Sequence, residues 1–238
     1  MFDPSSRARL TSHDLNRFPG ESLFDRIARV VCSAACLPRK ELYEAWEMAR
    51  RVRRHFRGGR VVDLAGGHGL LAHVLLLLDD SSPAAVVVDK ALPLSSDKVH
   101  QALVDAWPRL ASRVRFLEID VERAALSCDD LVVSSHACGG VTDQVLSMAA
   151  DVRARVAVLP CCHNLDRGET DGLEGWLDRA LAIDVVRAVR LRARGYVTRT
   201  QTIPASITPK NRLLMGEAVE SGWAAAAPCA SFGPGVRP

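Results

Sequence analysis

The chain has no long apolar run. Its stretch 70–78 is rich in leucine, but His73 interrupts it and Asp79-Asp80 ends it, far short of the roughly 20 apolar residues a spanning helix needs. A membrane span is therefore not expected, and the polar, arginine-containing N-terminus lacks the apolar core of a signal peptide. A cysteine framework is missing too. The seven cysteines, at 32, 36, 128, 138, 161, 162 and 229, are odd in number and irregular in spacing, which argues against a disulfide scaffold and for a reduced, cytoplasmic protein. There is no C-x₂-C pair of the zinc-finger kind, and no internal repeat.

A large charge of one sign is also absent, because the net charge is +3. The distribution is nevertheless uneven. Residues 1–60 hold 13 Lys or Arg against 7 Asp or Glu, and residues 185–216 hold seven basic residues and no acidic one. Two basic segments flanking an acidic middle form a phosphate-attracting surface if the fold brings them together.

What is present is a core's worth of apolar residues, 48% of 238, enough for one α/β domain of ordinary size with a short N-terminal addition. The informative stretch is 60–90. Val61-Val62-Asp63-Leu64 reads as a buried strand, Ala65-Gly66-Gly67-His68-Gly69 as a tight turn, 70–78 as a helix, and Val86-Val87-Val88-Asp89-Lys90 as a second buried strand ending in a carboxylate. Glycines let the backbone turn sharply and approach a ligand. Free N–H groups at the next helix start favour an anionic or polar group, and a carboxylate about 20 residues on suits a ribose diol. A nucleoside-containing cofactor is the expected ligand.

Before this unit, residues 1–20 read as an arm or an irregular lead-in, followed by helices over 21–36 and 39–57. After it, the pattern predicts a helix over 98–110 and strands over 113–119, 129–135 and 155–159. Helices are expected over 142–151 and 173–191, and strands over 196–203 and 211–218. The loop joining the last two strands is only about seven residues, too short for the crossover that parallel neighbours need. The sheet therefore closes with an antiparallel hairpin. Residues 220–238, rich in Ala, Pro and Gly, are expected to be an unstructured tail. Boundaries are placed at 1–57, 58–219 and 220–238.

Gly67-His68-Gly69-Leu70-Leu71-Ala72 also fits the dinucleotide fingerprint G-x-G-x-x-A. The closing hairpin, and the lack of chain for a second substrate domain, turn the reading elsewhere. Asp63-Leu64-Ala65-Gly66-Gly67-His68-Gly69 resembles the first motif of class I S-adenosylmethionine methyltransferases. His136-Ala137-Cys138-Gly139 with Thr142-Asp143, then Pro160-Cys161-Cys162-His163, then Thr208-Pro209-Lys210-Asn211, resemble a subgroup that includes the tRNA acceptor-stem ribose 2′-O-methyltransferases. The likeness covers roughly residues 39–217. It departs from those enzymes in lacking their additional cysteine and histidine zinc modules, and in having Asn164-Leu165 after Cys-Cys-His.

This resemblance implies an α/β fold with a seven-stranded Rossmann-like methyltransferase sheet, N-terminal helices, and S-adenosylmethionine as cofactor. Asp63 and the backbone at Gly66, Gly67 and Gly69 would hold its methionine moiety, Asp89 its ribose, and Asp120 with Val121 its adenine, and Ala65, Lys90 and Ser135 are also expected to bind the cofactor. His136, Cys138 and His163 are the expected catalytic residues, with the two imidazoles as candidate bases. Asn164, Lys210, Asn211, Arg53 and Arg54 are expected to contact substrate. Structured RNA such as tRNA is the leading acceptor, and a small molecule, with the N-terminal helices as a lid, the alternative. A third reading is a protein that binds cofactor or metal without catalysis. His136, Cys138, Cys161, Cys162 and His163 are residue types that bind zinc or iron, so a metal, a substrate pocket and packed thiols all remain open for these loops. The arginines of 50–57 are equally explained as a solvated helix end.

Overall fold

The computed structural model describes residues 2–160, 162–166 and 168–219. The expected tail lies outside the described residues, as does Cys161.

The strands are β1 (Val61–Leu64), β2 (Ala85–Asp89), β3 (Val114–Glu118), β4 (Leu131–Ser134), β5 (Arg155–Val158), β6 (Tyr196–Thr202) and β7 (Arg212–Ala218). They form one sheet of order β3-β2-β1-β4-β5-β7-β6. The first five run parallel, and β7 is antiparallel to both β5 and β6. Val158 pairs with Leu214, so the loop between β6 and β7 opens at the same edge as the carboxyl ends of the parallel strands. Strand order reverses between β1 and β4, and that crevice is where an open α/β sheet binds ligand.

Helices cover both faces: α1 (Leu23–Ala34), α2 (Arg39–His55), α3 (Leu70–Leu78), α4 (Ser96–Ala106), α5 (Gly140–Asp151) and α6 (Arg179–Ala193). Alternation along the central strands explains the two layers. Val61 and Val133 join a core with residues of α1 to α4, whereas Val62, Leu64 and Val132 face α5 and α6. Helix α3 is buried on nearly every side, from Leu70 to Leu77, because α2 packs over its outer face.

Three expectations change. Residues 2–20 are packed and not an arm: Leu10 and Phe18 are buried, Arg9 bridges Pro38, and Arg29 donates to the carbonyls of Phe18 and Gly20. The predicted helix 173–191 is a short turn, Leu173–Gly175, and then α6, which starts late because the Asp178 side chain accepts from the Leu181 N–H and caps it. Cys128 is disulfide-bonded, where no disulfide was expected. Among the described residues no helix is long and apolar enough to cross a membrane.

Candidate active site

A cleft of about 710 Å³ opens at the carboxyl edge of the sheet, within the size range of small-molecule sites. Ala65, Gly67 and His68 from the β1 turn, Asp89 and Lys90 after β2, and Asp120 to Glu122 after β3 line it. His136 and Cys138 after β4, Val141 and Gln144 on α5, and Glu41 on α2 complete the wall.

The glycine turn divides its labour. A Cβ at Gly66 would lie 2.8 Å from Asp63 Cγ and Val87 Cγ1, and one at Gly69 would lie 2.8 Å from Val87 Cγ2 and 3.0 Å from Phe116. Those two glycines admit close packing, and Gly69 (φ +72°) also begins α3. Gly67, at φ +52°, meets nothing within 4 Å and is the glycine that opens to the cleft. Asp89 braces this turn: its Oδ2 accepts from the Gly67 N–H at 2.9 Å and its Oδ1 from the Ala91 N–H at 3.2 Å.

Asp63 lies under the turn, fully buried, and neither carboxylate oxygen has a hydrogen-bond partner. Burial pushes its pKa up to about 8; the Ala72 N–H, short of hydrogen-bond geometry, pulls the other way, and Asp89 and Glu41 raise it further. Such an orphaned carboxyl is costly, and an incoming cationic group is the partner it lacks. His68 joins the roof to the floor, with Nε2 2.9 Å from Ser95 Oγ and Nδ1 3.6 Å from Glu41 Oε1.

Of the expected residues, Ala65, Gly67, Asp89, Lys90, Asp120, Val121, His136 and Cys138 come together in this cleft. Ser135 is buried behind the wall and does not line it. His163 is turned away, its Nε2 2.8 Å from Asp184 Oδ1 with the side chain 3% exposed, and does not line the cleft, whereas His136 does. Asn164 stands beside Gly139, its Cβ 3.7 Å from where a Cβ of Gly139 would be. Asn211 donates to the Ile203 carbonyl at 2.8 Å and braces the β6–β7 loop, while Lys210 is exposed on it.

Arg53 is a correction. It is buried, donates to the Leu75 carbonyl at 3.1 Å and to Ser82 Oγ at 2.8 Å, and pairs with Asp79 at 3.1 Å. Contacting substrate would take from Asp79 its buried partner and leave it the exposed Arg57 alone as an ion pair. Arg54 is exposed, but lies 13 residues beyond Glu41 on α2, about 20 Å along the axis.

Glu41 and Gln144 went unforeseen. Gln144 has a local signal, since it follows Val141 by one helical turn and so shares its face. Glu41 has none, because only tertiary packing of α2 brings it to the cleft. No three His, Cys, Asp or Glu side chains come together as a metal site among the described residues.

A family model described as a methyltransferase domain matches residues 40–167, more than half of the chain. The chain belongs to that methyltransferase family. Its cofactor is S-adenosylmethionine, a molecule with a sulfonium, an ammonium and a carboxylate, and the residues fit it: a buried carboxyl without a hydrogen-bond partner beneath the glycine turn, a glycine open to the cleft and four carboxylates lining the cleft suit a net cation. No match is found among curated proteins.

Among solved structures, the methyltransferase resembles an O-methyltransferase family protein from Burkholderia thailandensis (TM-score 0.51, 19% identity), the match covering 88% of this chain and 63% of that one. A putative RNA methyltransferase from Pyrococcus horikoshii matches at TM-score 0.47 and 14% identity, over 77% of this chain and 87% of that one. A B. subtilis tRNA methyltransferase matches at 0.48 and 13%, over 72% and 65%. The methyltransferase thus spans less than two thirds of the Burkholderia protein's length. The likeness to the Burkholderia protein, at 19% identity, shows the fold.

Proposed function

We propose that the chain methylates an oxygen or nitrogen nucleophile of a small, uncharged or cationic acceptor. The observation that carries this is the sign of the cleft: Glu41, Asp89, Asp120 and Glu122 line it, against Lys90 and two histidines. A phosphate group brought to about 4 Å from one carboxylate meets a repulsion of roughly 1 kcal/mol in water and 4 kcal/mol near a protein surface. The basic segments do not relieve it, because most of their charge is already used. Of the seven basic residues in 185–216, Arg187, Arg190, Arg194, Arg199 and Arg212 form ion pairs with Asp or Glu.

When bound, S-adenosylmethionine supplies an already activated methyl group. What this chain then contributes is placement and the exclusion of water. Asp63 and Glu41 bring negative charge under and over the glycine turn, and Asp89 holds that turn rigid. Cys138, Val141 and Gln144 form the wall against which an acceptor sits, and His136 Nδ1 or Nε2 takes a proton where the acceptor holds one tightly.

Structured RNA is the second reading, favoured by Arg54, Arg192 and Lys210, which make no ion pair among the described residues. Titrating tRNA against the protein between 50 and 200 mM salt separates the two. Affinity that falls steeply with salt supports RNA; absent or salt-independent binding supports a small acceptor.

A further inference from the structure

The acceptor wall rests on two loops, 135–139 after β4 and the segment 162–164 after β5, joined where the Gly139 N–H donates to the Cys162 carbonyl at 2.8 Å. Both loops are tied to α6, a helix that contributes nothing to the lining of the cleft. Arg187, 4% exposed, sends its guanidinium fork to Asp143 on the first turn of α5, Nε to Oδ1 at 2.7 Å and Nη2 to Oδ2 at 2.8 Å. The same Nη2 donates to the Gly139 carbonyl at 3.1 Å. One turn earlier, Asp184 Oδ1 lies 2.8 Å from His163 Nε2 and accepts from Arg187 Nη1 at 3.2 Å, while its Oδ2 accepts from Arg212 Nε on β7 at 2.7 Å.

Two carboxylates and two guanidinium groups therefore fasten both loops, α5 and β7 to a single turn of α6. The cluster is partly buried, with Asp143 half exposed, and a buried ion pair contributes little net stability compared with apolar packing of the same shape. Its bonds are, however, directional and bidentate, and so fix geometry. Burial opposes ionisation of Asp184, yet the bonds from His163 and Arg212 outweigh it and hold the carboxyl below its usual range.

We infer that Asp184 and Arg187 are positioning residues that hold the 135–139 loop, and with it His136 and Cys138, against the cleft. Neither residue touches the cleft, and both lie beyond the segment 40–167 that matches the family. The inference rests on the methyl-transfer reading for its consequence, but not for its geometry.

Asp184→Asn keeps the shape and removes the charge, and Arg187→Lys keeps the charge and removes the fork. In either variant of the full chain, the amides of Gly139 and of 162–166 should exchange with solvent about tenfold faster or more, while those of β1 and β2 keep their wild-type rates. Cofactor affinity should stay within about twofold of wild type, and kcat toward the acceptor should fall roughly 10- to 100-fold. Unchanged exchange in both loops overturns the inference, and so does a uniform rise across the sheet. Should Arg187→Lys fail to fold, Asp184→Asn gives the same readings alone. A wild-type protein that methylates nothing removes the functional reading, and the exchange pattern still decides the positioning.

Discussion

The orphaned carboxyl of Asp63 makes cofactor affinity depend on pH in a way that can be worked out beforehand. With a pKa of about 8 in the unliganded protein, only about one molecule in eleven has Asp63 ionised at pH 7, and about one in a hundred at pH 6. A ligand ammonium that pairs with the carboxylate must first meet the cost of removing that proton, about 1.4 kcal/mol at pH 7 and 2.7 kcal/mol at pH 6. Affinity for S-adenosylmethionine should thus rise roughly 25-fold from pH 6 to pH 8, and fall again above that as the ligand's own α-amino group, of pKa about 8, loses its proton. At pH 7 binding should release close to one proton.

Calorimetric titrations at pH 7, in two buffers of different ionisation enthalpy, read that proton directly. Asp63→Asn supplies the baseline, because it removes the titrating group and leaves the ligand's own titration in place. Wild-type binding that is pH-independent between 6 and 8, releases no proton, or is matched by Asp63→Asn would refute the pairing. The same shift acts on stability with a definite sign. The folded state holds this proton more tightly than the unfolded chain, so the contribution is full below about pH 4 and is lost as pH rises through about 8. Asp63→Asn should therefore raise Tm more at pH 8 than at pH 5.

The glycine turn predicts an ordering. Gly67→Ala should cost about 1–2 kcal/mol from its left-handed backbone alone, and Gly69→Ala a further 1–3 kcal/mol from contact with Val87 and Phe116, both read by urea unfolding. Arg53→Ala should destabilise by about 1–3 kcal/mol by removing the buried partner of Asp79, which keeps Arg57 and its hydrogen bonds from Gly58 and Ser81, with cofactor affinity in the folded fraction unchanged; Arg54→Ala should stay within about 0.5 kcal/mol of wild type. His136→Gln should lower kcat by about 10²- to 10⁴-fold if the acceptor keeps its proton until transfer, with cofactor affinity unaltered in equilibrium dialysis.

The sheet was legible because its signals are local. Val61 to Leu64 and Val86 to Asp89 are short apolar runs ending at polar turns. The short connection before β7 dictates an antiparallel closing pair. The residues collected in the cleft were legible for the same reason, since every loop that follows a parallel strand opens at one edge. Contacts made across the fold were not. Arg53 belongs to an arginine-rich helix end whose sequence looks solvated, and only Asp79 and Ser82, more than 25 positions away, reveal it as a buried strut. Glu41 carries no motif. Arg187 and Arg212, part of an apparent basic surface, pair inward with Asp143 and Asp184, and pairing of that kind depends on which helices share a groove.

We propose that the acidic cleft passes a methyl group to a small acceptor. The most direct test is incubation of the full chain with methyl-labelled S-adenosylmethionine and fractionated cell extract, beside Asp63→Asn as control. The expected result is label in a small-molecule fraction that the variant loses. Label confined to RNA or protein would contradict the acceptor assignment, and label in no fraction would contradict the activity itself.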